Sequence, residues 1–123
     1  MTGRAPGTES GSASVLVLGA AGVTVAALVA ALAVAGGVRA THVARAAADR
    51  SALAAATGTL SSGAPDCGRA TRVAVRSGAR VAGCTGSADG SVEVTVEVPL
   101  PVVVRRWPGV PDATLATARA GVG

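Results

Sequence analysis

The stretch from Val15 to Val38, VLVLGAAGVTVAALVAALAVAGGV, holds 24 residues and no charge. It restricts folding more than any other part of the chain, because so long an uncharged run must be hidden from water on every side. As an α-helix it spans ~36 Å, enough to cross a hydrocarbon layer of ~30 Å with some tilt. A chain of 123 residues is too small to surround such a helix with core. The competing account is a cleavable signal, for which Ala33-Val34-Ala35 provides a small-residue cleavage site. Against it, the run exceeds the ~7–15 apolar residues usual for a signal, and the preceding head carries only Arg4 and the amino terminus against Glu9. A retained membrane helix is favoured, and release after Ala35 is the alternative.

This divides the chain into a short head at 1–14, a transmembrane helix at 15–38, a helical stalk at 39–57 and a small αβ domain at 58–123. Gly22, Ala26 and Ala30 recur every fourth residue, forming a seam along which a second helix can approach. Thr24 is expected to bond back to its own helix. Beyond the run, RATHVARAAADRSALAAATG is rich in Ala and free of Pro, so the helix should continue to about Thr57 and end at Gly58. Val43, Ala46, Ala47, Arg50, Leu53 and Ala54 trace the face expected to turn inward. His42, the sole histidine, has no carboxylate or cysteine close in sequence and reads as solvated.

After the SSGAP loop, Asp66 is placed to cap a second helix, CGRATRVAVRS, closed by Gly78. Ala70 and Val73 should face inward, while Arg69, Arg72, Arg76 and Arg80 make a basic stripe, read as a solvated face rather than a docking patch. ARVAGC reads as a strand and TGSADG as a turn. SVEVTVEV alternates strictly, with Val92, Val94, Val96 and Val98 on one face and Glu93, Thr95 and Glu97 on the other: a half-buried strand. Pro99 and Pro101 interrupt pairing, and ATLATARAG supplies a last strand. The expected fold is therefore α+β, a long N-terminal helix followed by a short helix and a small antiparallel sheet. Trp107, beside Arg105 and Arg106, is either an ordinary packed side chain, which is favoured, or a tip that docks on a membrane or a partner.

An enzyme is disfavoured. Glu93 and Glu97 lie ~13 Å apart along a strand, too far to share a proton, and no Ser/His/Asp or metal-ligand constellation is present. No catalytic, cofactor-binding or metal residue is assigned, and no small-molecule substrate is expected. The net charge of +4 rests on eleven arginines and no lysine, and with one Trp and no Phe or Tyr there is little for a nucleic-acid base to stack on. Cys67 and Cys84, the only cysteines, stand 17 positions apart and fit no four-ligand zinc site. Outside the cytoplasm they should form a disulfide; inside it they would remain buried thiols.

The GSA lead-in at Gly11, the apolar run, the RAAADRSALAAA stalk, the paired cysteines flanking helix and strand, VEVTVEVPL and the closing TARAG together resemble the TadE-like proteins of actinobacteria. These are small proteins associated with tight-adherence (Flp) pilus secretion systems. The resemblance covers nearly the whole chain from Gly11. It implies a minor pilin or pseudopilin with a cytoplasmic N-terminus and an extracytoplasmic domain. Its partners would be the membrane, other pilin subunits and the secretion machinery that extracts it into a filament. It also marks Gly11/Ser12 as the candidate processing site, although Leu16 stands where processed pilins carry Glu. Arg39, Arg45 and Arg50 beyond the run outnumber Arg4 before it, so charge bias alone favours the opposite orientation.

Overall fold

The computed structural model describes residues 8–121. The elements in chain order are α1 (Thr8–Ser62), α2 (Cys67–Arg76), β1 (Arg80–Gly86), β2 (Val92–Pro99), α3 (Val102–Arg105) and β3 (Ala113–Ala120). The architecture is α+β, and the chain divides between Val34 and Ala35 into two units.

Within the first unit the described residues, from Thr8 onward, are helix. From Gly11 to Val34 every side chain is exposed except half-buried Ala33, and Leu16, Leu18, Leu28 and Leu32 are each at least 60% exposed. Thr24 Oγ1 donates to the Ala20 carbonyl at 2.8 Å, satisfying the one hydroxyl of the apolar run within its own helix.

In the second unit α1 is the spine. Its buried side chains are those of Ala40, Ala44, Ala47, Ala48, Ser51, Ala52, Ala55 and Ala56, at helical spacing, and Gly58 is buried beyond them. This corrects the expected inward face. Of that set only Ala47 is buried; Val43 and Ala54 are half-buried, and Ala46, Arg50 and Leu53 are exposed. The reason is charge: burying the Val43–Leu53 stripe would take Arg50 with it, whereas the adjacent face is alanine and one serine and carries no charge.

The helix also passes Gly58 and ends at Ser62. Its terminator is Gly63, at φ +73°, whose N–H donates to the Thr59 carbonyl at 3.0 Å. Thr57, Thr59, Ser61 and Ser62 each donate a side-chain hydrogen bond to a carbonyl three or four residues back, at 2.6–3.1 Å. Gly58 serves the chain reversal instead. A Cβ there would lie 2.5 Å from the Asp66 nitrogen, and the Asp66 N–H donates to the Ala55 carbonyl at 3.0 Å, so the returning chain lies directly on the helix.

Asp66 caps α2 as expected, its Oδ1 accepting from the Arg69 N–H at 2.9 Å. At the other end Gly78, φ +77°, and Ala79 donate to the carbonyls of Val75 and Ala74, at 3.1 and 2.9 Å, a Schellman closure. Ala70 and Ala74 are buried, and Val73 is half-buried. The sheet is antiparallel in the order β1-β2-β3. Val92, Val94, Val96 and Val98 of the central strand point into the alanine face of α1 and share one core with it. Ser87–Ser91 close the first hairpin, with Gly90 at φ +81° and the Asp89 carboxylate accepting from both the N–H and the hydroxyl of Ser91. Those two bonds hold the Asp89 carboxyl below its ordinary value of 3.8.

Pairing runs through Pro99, which lies opposite Ala113, so Pro99 does not interrupt it as expected, and it has stopped by Pro101. The segment between β2 and β3 also holds a helical turn that sequence reasoning did not anticipate. VVV has the composition of a strand, yet prolines on its flank deny it a ladder, and α3 closes locally on the Pro101 carbonyl, which accepts from Val104 and Arg105 at 3.0 and 3.1 Å.

Candidate functional site

The core is thin. Its largest fully buried side chains are Val92, Val94, Val96 and Ser51, and the Ser51 hydroxyl has no hydrogen-bond partner. A covalent link compensates: Cys67, first residue of α2, is bonded to Cys84 of β1 with Cα atoms 6.0 Å apart. Cys84 lies opposite Val94, so the bridge fastens α2 to the covered face of the sheet.

The outer face of the sheet carries charge pairs rather than a catalytic dyad. Glu97 is paired with Arg80 and Glu93 with Arg119 at 4.0 Å, each across a strand boundary, with Thr95 and Thr117 hydroxyls 2.8 Å apart between them. Arg80 therefore belongs to this face and not to a stripe with Arg69, Arg72 and Arg76, which are exposed on α2. His42 is exposed, and among the described residues no three His, Cys, Asp or Glu side chains cluster as metal ligands.

Two surfaces combine apolar and basic side chains. One is an open groove of about 370 Å³ between α1 and α2, lined by Arg50, Leu53, Ala54, Thr57, Arg69 and Val73. Much of the stripe expected to face inward lines this groove. The other is the segment after β2. Val104 turns toward the core, while Val102 and Val103 are 55% and 52% exposed and Trp107 is 54% exposed. This corrects the favoured expectation that Trp107 packs in the interior. Arg105 and Arg106 are exposed beside it. The segment is seated on α1 through Pro101, whose ring would lie 3.0 Å from a Cβ at Gly36. That contact was illegible in sequence, although two glycines at the end of an apolar run are a signal that backbone is approached there.

The candidate membrane and processing residues all lie on α1. Gly11 and Ser12 are in its first turns, and Gly22, Ala26 and Ala30 lie on its exposed surface, with open space around Gly22. The helix is long and apolar enough to cross a membrane. The disulfide is compatible with an extracytoplasmic domain. In comparisons with known proteins, no family model, no curated protein and no solved structure matches this chain.

Proposed function

We propose that this chain is a single-pass, membrane-anchored, pilin-like subunit of TadE type, a structural or assembly component of a tight-adherence pilus or related secretion apparatus and not an enzyme. Its N-terminus is cytoplasmic and its αβ domain extracytoplasmic. The observation that carries the proposal is the division along α1. One 55-residue helix offers its apolar first part on all sides and uses its second part as the spine of a disulfide-linked domain. A pilin-like subunit needs that layout, because the exposed part must exchange lipid for neighbouring helices while the domain stays folded. Gly22, Ala26 and Ala30 supply a seam for close helix contact.

The alternative is a small envelope-binding domain released after Ala35, and it too has a supporting observation. The division between units falls at Val34/Ala35, so a cut after Ala35 leaves every core residue from Ala40 onward in the product. Intact mass of the protein extracted from membranes separates the uncleaved, Gly11-cut and Ala35-cut forms. Ala26→Cys, placed in the seam, should yield crosslinked species between subunits in the membrane, whereas Leu28→Cys should yield fewer. Recovery of the Ala35-cut form in the medium overturns the anchored role. Equal crosslinking at the two positions overturns the seam.

A further inference from the structure

The core of this protein is built from alanine and valine, yet its single aromatic side chain is left outside, together with two valines of a one-turn helix. Val102, Val103 and Trp107 are each more than half exposed on one short segment. Arg105 and Arg106 stand among them without a carboxylate partner among the described residues, in contrast to Arg80 and Arg119, which are paired. The segment's position follows from Pro101. Its ring lies against Gly36, and Gly36 and Gly37 belong to the last turn of the uncharged run, which ends at Val38 before Arg39. Gly36 and the segment are in the same unit, so this seat is a feature of the folded domain itself. A Cβ on residue 36 would crowd the proline ring.

We propose that Pro101–Val110 is a second membrane contact. In it, Val102, Val103 and Trp107 rest in the headgroup region of the bilayer that takes the apolar helix, and Arg105 and Arg106 bind anionic lipid phosphates. The inference rests on retention of the Val15–Val38 helix. The level is right, because the end of an uncharged run marks the boundary between hydrocarbon and headgroups, and Pro101 is seated there. The chemistry is right as well. An indole has an apolar body and a polar N–H suited to that boundary, valines add apolar area beside it, and arginine carries its guanidinium out to phosphate while its stem stays with the apolar side chains. The seat confers a function on the domain: it holds the domain against the bilayer surface by a point separate from the helix.

Trp107 is the only tryptophan, so its fluorescence reports on this segment alone. The full chain is reconstituted in vesicles of phosphatidylcholine and phosphatidylglycerol, and flotation after an alkaline carbonate wash establishes retention. Trp107 emission should be blue-shifted. It should be quenched severalfold more by lipids brominated high on the acyl chain than by lipids brominated near the chain end, and protected from aqueous iodide. In the Arg105→Gln/Arg106→Gln variant, the increase of lipid quenching with phosphatidylglycerol content should be lost. Loss of the protein in the wash overturns both anchoring and this contact. Retention with Trp107 open to iodide and untouched by brominated lipid overturns this contact alone. Protection from both quenchers means that protein covers the segment and overturns the lipid assignment. Quenching that ignores phosphatidylglycerol in the parent chain overturns the role of the arginines.

Discussion

Two stretches of one helix, Gly11–Val34 and Ala40–Ala56, are both rich in alanine and meet opposite fates, the first uncharged with many valines and leucines, the second carrying His42, Arg45, Asp49 and Arg50. The first exposes nearly everything, including its leucines; the second buries alanines to 0–6% exposure while Leu53 stays 65% exposed. Along α1 hydrophobicity alone does not decide what is buried, since alanines are covered where Leu53 is not. The sheet presents a row of valines, and the side of α1 that shares a core with it is made of small side chains. Larger apolar side chains are left where lipid, a neighbouring helix or the occupant of a groove can receive them.

The contrast makes the second region dependent on supports that the first does not need. Breaking the disulfide should have the largest effect. Cys67→Ser opens a loop of 17-residue separation, and loops of that size are worth about 3 kcal/mol in the chain-entropy account. In urea denaturation of the detergent-solubilised chain the transition of the domain should move to much lower denaturant, with the helicity of the apolar stretch retained. An unchanged midpoint would show that the small core stands without its crosslink.

Size is tested next. Ala55→Leu forces a larger side chain into a fully buried position and should destabilise the domain by about 1–3 kcal/mol, whereas Ala26→Leu should leave its melting temperature unchanged. Equal shifts would erase the distinction between the two regions. A smaller effect of opposite sign is expected at Ser51, whose buried hydroxyl lacks a partner. Ser51→Ala should stabilise by about 0.5–1 kcal/mol, since it removes an unsatisfied polar group and improves helix propensity.

The smallest effect is a pH dependence in the hairpin turn. Because the bonds from Ser91 depress the Asp89 carboxyl in the folded state, their contribution is present above its ordinary value of 3.8 and is lost as pH falls through the lower folded value. Melting temperature measured downward from pH ~5 should therefore decline less in Asp89→Asn than in the parent chain. Parallel declines would remove Asp89 from the acid response.

Where residue pattern carried contrast, sequence was enough. The alternation of β2, the Asp66 cap, the Gly78 closure, the antiparallel α+β class and the uncharged length of Val15–Val38 each follow from a local rule in which one residue type differs sharply from its neighbours. The Glu93 and Glu97 side chains were legible as separate, and the sheet adds only the arginines that each one meets. Where residue types were uniform, tertiary structure decided. The buried face of α1 lies opposite exposed Arg39, His42, Arg45, Asp49 and Arg50, but among so many alanines no residue contrast marked which of them would be covered, and the valine row decided it. Gly58 and Gly63 are indistinguishable as terminators by composition; the first takes the backbone of Asp66 and the second takes positive φ. The seat of Pro101 on Gly36, 65 positions apart, and with it the exposure of Trp107, arises only once the sheet returns the chain to the helix, because no local preference encodes a contact across that separation.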